Sequence, residues 1–246
     1  MLDDISVLRA AAADYRAAAT AAGLPWDDPA VPPEPQAPPE LVHRVFDVDH
    51  VADQLTWLHG QGWQERRLLP NGGWLLPWPT DADKANEALD NLSLSIGVPF
   101  PWRHQLPLFH FEFLVYTFVL AGKHEGEIWR YETAPDAWDA VRAAPSLAAL
   151  FTEWTKGLEA GVVYLNDLDG CLAVGERGRR AVHALLDHTP ALDPLAFPVS
   201  MPEQPLLRQR QAEYGVDMSR VSQERGFESF EALNEEIDAV RAGLGL

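Results

Sequence analysis

Two aspartates in a short glycine-ended segment come closest to a metal site in this sequence. Asp167 and Asp169 alternate within Asn166-Asp-Leu-Asp-Gly170, and alternate carboxylates in a turn can converge on a hard cation such as Ca²⁺. The later glutamate that a calcium-binding helix-loop-helix requires is missing. Asparagine, aspartate and glycine are also the ordinary residues of a hairpin turn. We therefore predict a turn and no metal.

Two histidines lie close to carboxylates in the sequence. His110 and Glu112 would share one face of a strand, and His124 adjoins Glu125. Such pairs can perform general acid and base catalysis. A hydrolase hypothesis takes its acid-base or metal groups from His110, Glu112, Asp167 or Asp169. The sequence contains no His-Glu-x-x-His, Gly-x-Ser-x-Gly or Gly-x-x-x-x-Gly-Lys motif to support it. We predict no catalytic residue, no metal ligand and no cofactor.

The tryptophans divide according to their neighbours. Three lie within or beside elements whose apolar faces need filling, and we expect them in the core: Trp129, Trp138 and Trp154. Three others adjoin prolines or glycines and are candidates for exposed contacts: Trp26, Trp63 and Trp102. An exposed tryptophan in a loop is suited to anchoring a protein interface.

A continuous block in the middle of the chain indicates a hairpin followed by a helix. The alternation of apolar residues over Phe109–Leu120 predicts a strand. The segment Gly122–Gly126 supplies a polar reversing loop, and Glu127–Tyr131 resumes the strand pattern. After a looser stretch, Ser146 is a good N-cap for a helix with one apolar stripe, which Gly161 ends.

The remaining elements are predicted from the same signals. They are a helix over Asp4–Ala22, an extended proline-rich connection over Pro25–Pro39, a strand at Trp74–Trp78 in which Pro77 indicates an edge or an end, a polar turn or helix over Asp81–Asp90, a half-exposed strand at Leu92–Ile96, a second hairpin from Val162–Leu165 and Cys171–Val174, and helices over Arg179–His188, Arg208–Tyr214 and Ser229–Ala242. The last two helices are too short to be stable alone, so we expect them to pack on the sheet.

The composition argues against several classes of function. The formal net charge is −18 in 246 residues, and such a chain repels the phosphates of nucleic acids. A basic protein partner fits better, although the excess of acids also serves as a solubilising surface. The single cysteine, Cys171, allows no internal disulfide and suits a reducing compartment. Without a signal-like start or a long apolar span, we expect a cytoplasmic protein that does not enter the membrane.

The central block resembles the SUKH superfamily, which includes bacterial toxin-immunity proteins and the fungal cell-wall assembly regulator. The resemblance covers about Leu106 to Gly161. It depends on the hairpin element Gly126-Glu-Ile-Trp129 and on the helix that begins at Ser146. The chain departs from the family pattern near its start, where Gly23-Leu-Pro-Trp26 runs into prolines. The tail after about Pro190 has no assigned counterpart in the family.

The resemblance implies an α+β fold, in which helices pack on a mainly antiparallel sheet. We divide the chain into an N-terminal helix and proline-rich linker (1–40), a SUKH-like domain (41–189) and a C-terminal helical extension (190–246) packing on it. The sequence sets no oligomeric state.

The resemblance also implies binding without catalysis. We expect an intracellular immunity protein that occludes a cognate toxin domain, whose basic charge would complement this chain. The alternative is a scaffold or regulator of the same fold without a toxin, and the hydrolase hypothesis comes last. The residues predicted to meet a partner are acidic loop positions and one tryptophan: Asp81, Asp83, Trp102, Glu125, Asp167 and Asp169.

Overall fold

The computed structural model describes residues 3–27, 37–133, 140–175, 179–201, 205–216 and 223–246. The fold is α+β, as predicted, with helices around antiparallel sheets. Most of the predicted proline-rich linker and Trp138 lie outside the described residues.

The helices and strands of the described residues follow in chain order. The helices are α1 (Ile5–Ala21), α2 (Glu40–Phe46), α3 (Asp53–His59), α4 (Ala82–Leu92), α5 (Leu147–Glu159), α6 (Arg179–Asp187), α7 (Pro205–Glu213) and α8 (Gln223–Leu244). The strands are β1 (Trp74–Leu75), β2 (Gln105–Phe111), β3 (Leu114–Val119), β4 (Ile128–Glu132), β5 (Val141–Ala144), β6 (Val163–Asn166) and β7 (Cys171–Val174).

Strands β1 to β5 form one antiparallel sheet in their sequence order, and β6 pairs with β7 in a separate hairpin. The predicted loop joins β3 to β4, and its glycines Gly122 and Gly126 have positive φ angles of 85° and 89°. Glycine reaches this backbone region without steric cost. The predicted second hairpin and the edge position of β1 are also confirmed.

The single strand predicted over Phe109–Leu120 is wrong, because the chain reverses in its middle. A tight turn at Glu112 and Phe113 separates β2 from β3, and Phe113 is 52% exposed. His110 and Glu112 therefore do not share a strand face. Both strands are buried, so the apolar pattern continues across the turn and conceals it.

The strand predicted at Leu92–Ile96 is also wrong. Helix α4 extends to Leu92, and the apolar residues that it buries follow helical spacing: Ala85, Ala88, Leu89 and Leu92. The alternation beyond Leu92 spans too few residues to overcome a capped helix. Asp81 caps α4, since its carboxylate accepts a hydrogen bond from the backbone nitrogen of Lys84 at 2.9 Å.

The main core lies between one face of the large sheet and α5, with α1 packed across α5. The Ser146 hydroxyl caps α5 by accepting from the backbone nitrogen of Ala149 at 3.1 Å. On α1, Tyr15 is fully buried against the rings of Phe151 and Trp154. This core draws on all three predicted segments of the chain, from α1 to Ile237 in α8.

A second, smaller core covers the opposite face of the sheet. Val119, Trp129 and Tyr131 are buried there together with Val216, and Phe100 and Tyr214 pack against them. Burial of Trp129 and Trp154 was predicted and is confirmed, because both side chains are inaccessible to solvent.

The exposed position predicted for Trp63 is wrong, because only 6% of the residue is accessible. Trp26 is half-buried, and its ring packs edge-on against Trp63 with ring centroids 5.3 Å apart. Neighbouring prolines and glycines therefore predict a loop correctly here, but they do not predict that the tryptophans of the loop are exposed.

Candidate protein-binding surface

The six residues predicted to meet a partner lie in three parts of the fold. Asp81 and Asp83 begin α4, and Trp102 lies in a 3-10 turn that leads into β2. The β3–β4 loop, which carries Glu125, adjoins this turn through a hydrogen bond from the backbone nitrogen of Leu120 to the carbonyl oxygen of His104. Asp167 and Asp169 lie apart from these residues, in the turn between β6 and β7.

Asp169 and Asn166 shape the β6–β7 turn. The Asp169 carboxylate accepts a hydrogen bond from the backbone nitrogen of Cys171 at 3.1 Å, and Asn166 accepts one from that of Leu168. Asp167 is exposed and makes no ion pair with the described residues. Within the described ranges, no group of three or more histidine, cysteine or acidic side chains is placed to hold a metal ion.

The side chain of Arg241 joins α8 to α4, and we call these two helices the acidic helix pair. Arg241 of α8 donates hydrogen bonds to Asn86 and Asp90 of α4 and to Asp238 on its own helix. Ile237 of α8 is buried in the main core. These contacts fix α8 against the rest of the protein.

The acidic helix pair is strongly negative. Over residues 81–92 and 230–246 it carries eight carboxylates and two bases. All eight acidic residues are exposed: Asp81, Asp83, Glu87, Asp90, Glu231, Glu235, Glu236 and Asp238. Both bases are paired within the surface, Arg241 as described and Lys84 with Glu87 at 3.0 Å. The hydrogen bond and charge of Glu87 raise the pKa of Lys84, so the ammonium group stays charged at neutral pH.

A groove of about 420 Å³ lies between α8 and the segment that follows α4. Its lining is mostly apolar and consists of Ser95, Ile96, Gly97, Val98, Phe100, Pro101, Trp102, Ala232, Leu233 and Glu236. The half-buried indole of Trp102 donates a hydrogen bond from Nε1 to Oε2 of Glu236 at 2.7 Å. The groove therefore has an apolar interior and a carboxylate on its wall.

Buried polar side chains lie beneath the groove. The amide oxygen of Gln105 accepts hydrogen bonds from the hydroxyls of Thr117 and Tyr131. Burial raises the pKa of Tyr131 well above its ordinary value, so the phenol stays neutral. The buried hydroxyl of Ser95, which lines the groove, lies beside the Tyr131 hydroxyl.

A second charged cluster supports the groove wall from behind. Glu127 accepts a hydrogen bond from Trp129 Nε1 at 3.0 Å and lies 3.1 Å from His124 Nδ1 and 3.6 Å from Arg142. Phe100 packs against the rings of both His124 and Trp129. The sequence pointed to Glu125 as the neighbour of His124. The reversing loop instead places Glu127 beside His124. The spacing of three residues within a tight loop is the sequence feature that could have predicted this pair.

The residues of the hydrolase hypothesis lie in separate elements. His110 packs on Trp74, with ring centroids 4.7 Å apart, and burial lowers the pKa of its imidazole. Glu112 belongs to the β2–β3 turn, and the two aspartates belong to the small hairpin. No hydrogen bond among the described residues joins these side chains.

Among the helices in the described ranges, none combines the length and apolar character needed to cross a membrane. Comparison with known proteins gave no match, either to a protein-family model or to a curated protein sequence.

Proposed function

We propose that this chain is a non-catalytic protein-binding module, an intracellular immunity protein of the SUKH type that occludes a basic toxin domain such as a nuclease. The proposed partner surface is the acidic helix pair together with the neighbouring turn at Trp102. The main support is the charge of that surface, eight carboxylates against two bases that are already paired within it.

An acidic surface of this kind acts chiefly on the rate of association. Complementary charge steers a basic partner towards productive encounters and disfavours acidic competitors. The steering decreases as salt screens it, because the Debye length falls from about 10 Å at 0.1 M salt to about 3 Å at 1 M. The order of the central elements gives a second, independent support. The β3–β4 hairpin carrying Gly126 and Trp129 is followed by the Ser146-capped helix that packs on the sheet.

The proposal is tested by co-expressing the full chain with the toxin domain encoded beside its gene. We expect cell survival and a complex that co-purifies. Association rates measured at low and high salt should then fall as salt increases. Survival unchanged and no complex with a correctly folded toxin would contradict the proposal and favour a scaffold or regulator instead.

A matched pair of triple variants locates the interaction. The first, Asp83→Asn, Glu231→Gln and Glu235→Gln, removes three charges from the acidic helix pair. The control, Asp14→Asn, Glu159→Gln and Asp187→Asn, removes three charges from exposed positions on other helices. Both change the net charge equally. We expect association to slow by about tenfold for the first variant only; an equal effect in both would show that net charge acts without a defined surface.

A further inference from the structure

We infer that the groove beside Trp102 receives one apolar side chain from a lysine- or arginine-rich segment of the partner. The inference rests on the proposed function, to which it adds the chemistry of the bound segment. The groove joins an apolar interior to an acidic rim, and these two features select different parts of the same ligand.

The interior of the groove favours a hydrocarbon side chain. Ile96, Val98 and Phe100 line it on one side and Leu233 on the other. Transfer of an apolar side chain from water into such a site is favourable in proportion to the area removed from water. A few well-placed apolar anchors of this kind carry most of the affinity in many protein interfaces.

The α8 side of the rim favours positive charge beside that anchor. Glu236 uses Oε2 to accept the hydrogen bond from Trp102, and Oε1 accepts none from the described residues. Glu235 and Glu231 are exposed on the same helix. The nearest base along the chain, Arg103, is directed towards α2, where its guanidinium donates to the carbonyl oxygens of Val45 and Arg44.

Trp102 offers a direct signal for occupation of the groove, because the hydrogen bond of its indole N–H lies on the groove wall. In the ¹H–¹⁵N spectrum of the full chain, the Trp102→Phe variant identifies this resonance among the indole signals. The probes are two synthetic heptapeptides, each with four lysines around a three-residue centre. The centre is Gly-Leu-Gly in one peptide and Gly-Gly-Gly in the other.

We expect the leucine peptide to shift the Trp102 indole resonance and to bind at least about tenfold more tightly than the glycine peptide, as burial of one leucine side chain predicts. Equal affinities, or binding that leaves this resonance unchanged, would overturn the inference. Equal affinities would mean that the acidic surface binds lysine without an apolar anchor.

Two variants on α8 complete the test. Ala232→Phe fills the groove and should abolish the preference for leucine, whereas Ala239→Phe, on an exposed position of α8 outside the groove, should retain it. A preference that survives in Ala232→Phe would also overturn the inference. Because the peptides replace the toxin, a failure in co-expression with a preserved preference contradicts only the immunity function, and complex formation without the preference contradicts only the groove.

Discussion

The imidazole of His59 stacks on the indole of Trp78, with ring centroids 3.7 Å apart and 16° between the ring planes. The His59 Nδ1 atom hydrogen-bonds the carbonyl oxygen of Leu55 at 2.9 Å, which closes the last turn of α3. The residue is almost fully buried. Burial lowers the pKa of His59 from 6.5 to about 4.

We predict that this histidine makes the protein less stable as the pH falls from about 6.5 to about 4. In this range the unfolded chain binds a proton at His59 and the folded chain does not, so acid favours unfolding. The full effect is about 3 kcal/mol of unfolding free energy, from a pKa difference between 6.5 and about 4. Urea unfolding across this range should show a smaller pH dependence for His59→Gln than for the unchanged protein.

The control for this prediction is His50→Gln, which changes an exposed histidine. We expect its unfolding free energy to follow the unchanged protein at every pH. If the unfolding free energy of His59→Gln showed the same pH dependence as that of the unchanged protein, His59 would be protonated in the folded state as readily as in the unfolded state.

We predict opposite effects for the same substitution at two helical glycines. A Cβ at Gly157 in α5 would lie 2.6 Å from Cε1 of Phe197 and 2.8 Å from Cγ2 of Val163. Gly157→Ala should therefore destabilise by about 1–3 kcal/mol, as overpacking does. A Cβ at Gly243 in α8 meets nothing within 4 Å, so Gly243→Ala should stabilise by up to about 1 kcal/mol through helix propensity. Thermal or urea unfolding measures both. A stabilising effect of Gly157→Ala would refute the close packing of α5, and a destabilising effect of Gly243→Ala would refute the open space at Gly243.

Asp81 has a structural role that can be separated from its predicted role in binding. We expect Asp81→Ala to lower the unfolding free energy by about 1 kcal/mol, because α4 loses its N-cap. Asp81→Ser should keep most of the stability, since the serine hydroxyl can accept the same hydrogen bond from the backbone nitrogen of Lys84. Both variants remove the charge. If the Asp81 charge contributes to partner binding, both variants should bind the partner equally weakly. If only Asp81→Ala binds more weakly, the residue acts through folding alone.

Arg130 is a fully buried cation that holds the segment before α7 against the sheet. Its guanidinium donates to the carbonyl oxygens of Phe197 and Val199 at 2.9 and 2.7 Å. We predict that Arg130→Met lowers the unfolding free energy by about 3 kcal/mol, because two buried carbonyl groups lose their partner. Arg208→Met, at an exposed arginine of α7, should change it by less than about 0.5 kcal/mol. Similar values for the two variants would contradict this role.

The parts of the fold that were predicted correctly depend on local signals. The Ser146 cap and the apolar stripe of α5 are readable within one helix, and the glycines of the β3–β4 loop mark the reversal directly. The β2–β3 turn was missed because it consists of Glu112 and Phe113 and contains none of the usual turn residues glycine, proline or asparagine. Burial of strands on both faces also removes the polar alternation that would mark where one strand ends.

The sequence by itself determined the α+β character, most of the helices, both glycine-bounded hairpins and the strong negative charge. Only the tertiary structure decided which carboxylates share a surface, because α4 and α8 meet through Asp90 and Arg241, which are 151 residues apart in sequence. The same holds for the pairing of His124 with Glu127 and for the burial of Trp63. Such contacts depend on how separate elements pack, and a local pattern of residues contains no information about packing between elements distant in the chain.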